Sequence, residues 1–136
     1  MPSEETEPGS PENWLMRAKS NLILAKTPIQ QGLYWEDLCF NLQQAVETCL
    51  KAVLLYKEIQ FPYTHQISRL IDLIKRSEIL WNAKLEAADE LSDYAVQARY
   101  LGNFEPVTEE EYREAVEIIE EVLAWAESIV VEEAQQ

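Results

Sequence analysis

Apolar residues recur along this chain at steps of three and four, the period of an α-helix, in five separate stretches. Ser10-Pro11-Glu12 supplies an N-cap, a proline for the first helical position and an acid for the first turn. The stretch it opens carries Trp14, Leu15, Ala18, Leu22 and Ala25 at helical spacing, and Thr27-Pro28 stops it. After the loop Gln30-Gln31-Gly32, a long helix is predicted from Trp35 to about Lys57. One of its stripes is Leu38, Leu42, Ala45, Cys49, Val53 and Tyr56; a second is Trp35, Cys39, Val46, Leu50 and Leu54. A helix apolar over so wide an arc is buried on two sides, either at the centre of a bundle or between the bundle and a partner subunit.

Phe61-Pro62-Tyr63 interrupts the pattern, and Thr64 is expected to cap a short helix with Ile67, Leu70, Ile71 and Ile74 on its core face. A fourth helix is predicted to start between Trp81 and Leu85 and to run to Leu101. Ala87, Leu91, Tyr94, Ala98 and Leu101 lie on one face, and Leu85, Ala88, Ser92, Ala95 and Arg99 on an adjoining face of smaller residues. Gly102 to Pro106 ends it. Thr108-Glu109-Glu110-Glu111 is a capping box for the last helix, whose buried stripe is Tyr112, Ala115, Ile119, Val122, Ala126 and Ile129. The fold expected is therefore all-α, an up-and-down antiparallel bundle of about five helices, four long and one short. Residues 11–131 form the domain, between a disordered acidic lead-in (1–10) and a frayed tail (132–136).

Composition narrows the setting. With 136 residues there is room for one core, and no apolar run reaches the roughly 18–20 residues of a membrane span. The opening MPSEETEPGSPEN lacks the basic and apolar regions of a signal peptide. Cys39 and Cys49, about 15 Å apart on one helix, are too distant to bridge within the chain, which suits reduced thiols in a cytoplasmic protein. The formal charge of −14, from 25 acids against 11 cations, disfavours DNA and general nucleic-acid binding and leaves open a basic partner or a local basic site.

Few residues can carry chemistry. His65 is the single histidine and opens the third helix, where the dipole disfavours its protonated form. It can act as a base or bond a ligand; its plainer role is to close the loop on a backbone carbonyl. Two cysteines and one distant histidine do not make a zinc site, and Pro62 stands where a di-iron Glu-x-x-His would need its acid. The helical nucleoside-triphosphate pyrophosphohydrolases hold Mg²⁺ with Glu-x-x-Glu on one helix and Glu-x-x-Asp on the next. Glu86-x-x-Asp89 and Glu90-x-x-Asp93 supply only the second half, so a solvated acidic face is the better reading and no cofactor is implied. The long helix has a polar row of Gln44, Glu47 and Lys51, in which Glu47 and Lys51 form either an ordinary i, i+4 ion pair or part of a site floor. Arg99, behind small residues and followed by Tyr100, reads equally as a structural ion-pair partner or an anion ligand.

Taken in order, Trp14 and Ala18, then Gln43-Gln44-Ala45-Val46-Glu47 with Lys51-Ala52, Thr64-His65, Arg99-Tyr100 and Thr108 resemble the HEPN domain family over about Pro11 to Val131. The resemblance implies a small helical bundle that commonly forms a homodimer. It also implies a place beside a minimal nucleotidyltransferase in toxin–antitoxin modules, and nucleotide or anion binding with Lys51, His65, Arg99 and Tyr100 as the contacts. Ribonuclease branches of the family use an arginine and a histidine separated by four to six residues, acting at the dimer interface. After Arg99 that spacing meets Phe104, Glu105 and Pro106, and His65-x-x-x-Arg69 has the reverse order on another helix, so the acid–base group is missing. The resemblance thus favours a non-catalytic binding protein over a ribonuclease using Tyr100 or His65 as a substitute, and over a purely structural dimer.

Overall fold

The first and last α-helices begin where a side chain caps their free amides. The computed structural model describes residues 9–28, 32–64, 66–91 and 107–132. Helix α1 spans Pro11–Ala25; the Ser10 hydroxyl accepts the Asn13 amide at 3.1 Å, satisfying one of the free donors of the first turn. Helix α2 spans Trp35–Tyr56, α3 Ile67–Arg76, and α4 Glu109–Glu127, with a 3-10 helix at Ala83–Leu91 and a π-helical turn at Ser128–Glu132. These five helices form an all-α bundle, and no strand occurs among the described residues.

Helix α2 is the axis of the bundle. It packs against α1, α3 and α4, and most of its length is buried, with Leu42, Val46, Leu50 and Leu54 completely enclosed. Burial of such a side chain contributes about 1.5–3 kcal/mol. The wide apolar arc of α2 is therefore covered by its own chain, and its burial requires no partner subunit. Trp14 of α1 lies beside Lys51 near the far end of α2, so α1 and α2 run antiparallel. Trp35 and Tyr112, at the starts of α2 and α4, pack with ring centroids 4.9 Å apart, so those two helices share a direction. The Tyr112 hydroxyl donates to the Ala25 carbonyl at 2.6 Å and ties the end of α1 to the same corner. At the opposite end the Trp125 indole N–H donates to the Leu80 carbonyl at 2.7 Å, with Trp81 packed edge-on against the Trp125 ring.

Two helix ends share one device. After α2 the Ile59 amide reaches back to the Leu54 carbonyl and the Glu58 amide to that of Leu55; after α3 Ile79 and Glu78 do the same to Ile74 and Lys75. These are Schellman closures, and each needs a left-handed residue at its turning point. Glutamate fills both, Glu58 at φ 58° and Glu78 at φ 59°, where glycine is the unstrained residue. Isoleucine follows each glutamate and folds back against the helix it has just left.

Two local expectations change. The third helix starts at Ile67 with Gln66 as N-cap and no side-chain cap; Thr64 instead is buried and accepts the Gln66 amide in a two-residue turn. The segment from Ala83 is 3-10 rather than α-helical as far as Leu91. Its threefold repeat aligns Leu85, Ala88 and Leu91, all buried, in one row, and the Asn82 side chain accepts the Lys84 and Leu85 amides to start it. The remainder of the fourth predicted helix, 92–106, lies outside the described residues. The Thr108 capping box closes as expected, with both reciprocal bonds to Glu111 in place. The last helix closes in a π-turn whose Ile129 and Val130 are buried, and the tail expected to fray lies outside the described residues from 133 onward.

Candidate functional site

The middle of α2 turns a row of polar side chains inward. The i, i+4 spacing stacks Gln43, Glu47 and Lys51 on one face, and all three are buried. Gln44, expected in that row, sits at its edge, half-buried, and its carbonyl accepts the Thr48 hydroxyl at 2.7 Å. The Lys51 ammonium donates to Glu47 Oε2 at 3.0 Å, and each side chain retains only 7% of its surface. From α1 the Trp14 ring approaches the same ammonium, 5.9 Å from Nζ to the ring centroid. Phe61 in turn packs edge-on against Trp14 at 6.4 Å. Lys51 is thus held by a carboxylate on its own helix and by the negative face of an indole, in a pocket closed by the loop that follows α2.

Desolvating an ammonium and a carboxylate is costly, and the attraction between them offsets that cost only when the geometry is fixed. Here three separate parts of the chain fix it: α1 through Trp14, α2 through both ions, and the loop through Phe61. The arrangement locks α1, α2 and the loop at one spacing, with one of the three N–H donors of Lys51 committed to Glu47.

A second buried acid anchors the other end of α2. Glu36 Oε1 accepts the Val107 amide at 2.7 Å, which pins the entry to α4 against the first turn of α2. Sequence reasoning grouped neither Glu36 nor Gln43 with the site. For Gln43 the signal was its place four residues before Glu47; for Glu36, one acid in a first turn, there was none. His65, Arg99 and Tyr100 lie outside the described residues. Among the described residues no group of three histidine, cysteine or acidic side chains is arranged to hold a metal, and no helix is long and apolar enough to cross a membrane. Both cysteines are buried thiols, and burial pushes the Cys49 thiol far above its ordinary range. A cleft of about 560 Å³ opens where α2 and α3 end, with Ile59, Ile79 and Ile129 beneath Lys57, Glu78 and Trp125; it includes none of the polar row.

The HEPN domain family matches residues 11–129 of the chain. Among solved structures, the chain is similar to TT1696 from Thermus thermophilus, with 30% sequence identity and a TM-score of 0.70, over 87% of this chain and 96% of that one. No curated protein matches the sequence.

Proposed function

The chain belongs to the HEPN domain family, and from that premise we propose that it is a binding member, a homodimeric partner of a minimal nucleotidyltransferase in a toxin–antitoxin type module. Arg99, Tyr100 and His65 are the nucleotide or anion contacts in this reading. The observation that carries this reading is the identity of three residues. A ribonuclease of the family needs a histidine separated from its arginine by four to six intervening residues, and after Arg99 those places hold Phe104, Glu105 and Pro106. An arginine without that acid–base partner can still bind phosphate through its planar fork of donors. The geometry of Lys51 supports a division of labour. Its charge is engaged by Glu47 beneath Trp14, so Lys51 sets the frame and Arg99 meets the anion.

Titration calorimetry with ATP and with GTP tests the reading. Binding heat is expected for the parent chain and is lost in Arg99→Ala. Incubation with RNA supplies the opposing outcome, since cleavage that disappears in Arg99→Ala would make the protein a ribonuclease and overturn the proposal.

A further inference from the structure

The cleft of about 560 Å³ lies away from the polar row, at the end of the bundle where α2 and α3 stop beside the last turn of α4. Its volume falls within the range of roughly 300–1,000 Å³ common for small-molecule sites. Ile79 and Ile129, both buried, and the half-buried Ile59 give it an apolar floor. Trp125 forms a wall, held by the bond from its indole N–H to the Leu80 carbonyl at 2.7 Å and by the packed ring of Trp81. The apolar part of the site is thus built before any ligand arrives.

Around that floor negative charge is in excess. The C-cap residues of α2 and α3, Lys57 and Ser77, both line the cleft, so two helix C-termini meet there. Each terminus acts as about −0.5 of a charge. Among the described lining residues Glu78 is the one acid and Lys57 the one cation, and Glu58 stands in the chain between Lys57 and Ile59. Both glutamates occupy left-handed turning points that glycine would fill without strain, so each turn sets a carboxylate where a dipole already ends. The Lys57 ammonium lies 5.8 Å from the centroid of the Tyr56 ring. The two cations in the last turn of α3 are engaged as well, Lys75 with Glu86 and Arg76 with Asp72. An apolar floor therefore sits beneath a rim of negative potential, in a chain of formal charge −14.

We propose that this cleft binds an organic ammonium ion, an amine cation carrying an apolar body of about the size of a phenyl ring. The body lies on the three isoleucines against Trp125, and the charge stays at the rim with Glu78 and the carbonyl ends of α2 and α3. This site is separate from the nucleotide or anion contact at Arg99 and does not depend on it. A nucleotide is the wrong occupant here, because its phosphates would face Glu78 and two negative helix ends. A neutral apolar molecule would fill the floor and leave the rim potential unused.

Methyl and indole NMR of the full chain, titrated with three ligands of one shape, tests the site. The ligands are phenethylammonium, the neutral phenethyl alcohol and the anionic hydrocinnamate. The ammonium ion is expected to shift the methyl signals of Ile59, Ile79 and Ile129 and the Trp125 indole N–H, with a dissociation constant about 10-fold or more below that of the alcohol. Hydrocinnamate should not saturate the site. Glu78→Gln keeps the turn and is expected to weaken the ammonium ion by about 3–10-fold, and Lys57→Gln to tighten it. Arg99→Ala should bind the ammonium ion as the parent does, so this site and the nucleotide reading fail separately. The proposal is overturned by hydrocinnamate binding more tightly than the ammonium ion, by equal affinity for ammonium ion and alcohol, or by shifts absent from the cleft. An ammonium affinity indifferent to both Glu78→Gln and Lys57→Gln overturns it too.

Discussion

In the middle of α2 and on the outside of α3 the chain uses the same device, an acid four residues before a cation. Glu47 and Lys51 retain 7% of their side-chain surface each, whereas Arg76 and Asp72 retain 73% and 57%. The spacing, the charge order and the helix type are alike; the solvent differs. On α3 water screens the pair and competes for both ends, so the contact contributes a fraction of a kcal/mol. On α2 the pair is dry and Trp14 covers the cation. Losing either ion takes a buried charge-assisted hydrogen bond from the other. An i, i+4 pattern therefore says that two groups can meet, and the rest of the fold decides what the meeting is worth.

The sharpest break of that contrast is Lys51→Met, which removes the buried cation bonded to Glu47. A loss of about 3–5 kcal/mol is expected from urea denaturation, and a loss no larger than that of an α3 surface variant would mean that water reaches the pair. Replacing both ions, Glu47→Leu with Lys51→Met, should recover a large part of that loss, because neither charge of the pair is left to be desolvated. Trp14→Leu is expected to cost about 1–2 kcal/mol in the parent. It should cost measurably less beside Lys51→Met, and the difference isolates the ring–ammonium attraction in a double-mutant cycle. Asp72→Asn on α3 should shift stability by roughly 0.3–0.5 kcal/mol, an effect that disappears at high salt.

The smallest effect concerns Lys75 and Glu86, which link α3 to the 3-10 helix at 2.7 Å. The hydrogen bond from Lys75 holds the Glu86 carboxyl below its ordinary pKa of 4.5. A carboxyl that ionises more readily folded than unfolded stabilises above the unfolded pKa, and that contribution is lost as pH falls through the depressed value. An NMR titration of the Glu86 side chain should show a midpoint below the ordinary one, returning to it in Lys75→Ala.

Helix ends were legible because their chemistry is local. Ser10, Thr108 and Glu111 act within four residues of themselves, and α1 and α2 end within a residue of where the pattern places them. The α3 start was misplaced because Thr64 binds the amide two residues on, a turn that competes with a cap for the same side chain. Leu85, Ala88 and Leu91 fit a threefold repeat, and the sequence offers Ala87 with Leu91 as an equally good α-helical face. Family membership could be read from residues scattered over the chain, since it requires only their order. The dryness of the Glu47–Lys51 pair was beyond reach, because it depends on Trp14 and Phe61 arriving from other parts of the chain. A periodic pattern marks residues that suit a core, and Ile23 or Phe40 suit one equally well when they stay outside it.

The glutamates at the ends of α2 and α3 have a practical consequence. Both turns hold a residue with a Cβ in a conformation made for one without, so Glu58→Gly and Glu78→Gly relieve strain at two exposed turns. The molecule thus contains its own means of preparing a sturdier host. In that host Lys51→Met and its companions could be measured as folded proteins with weakened interiors.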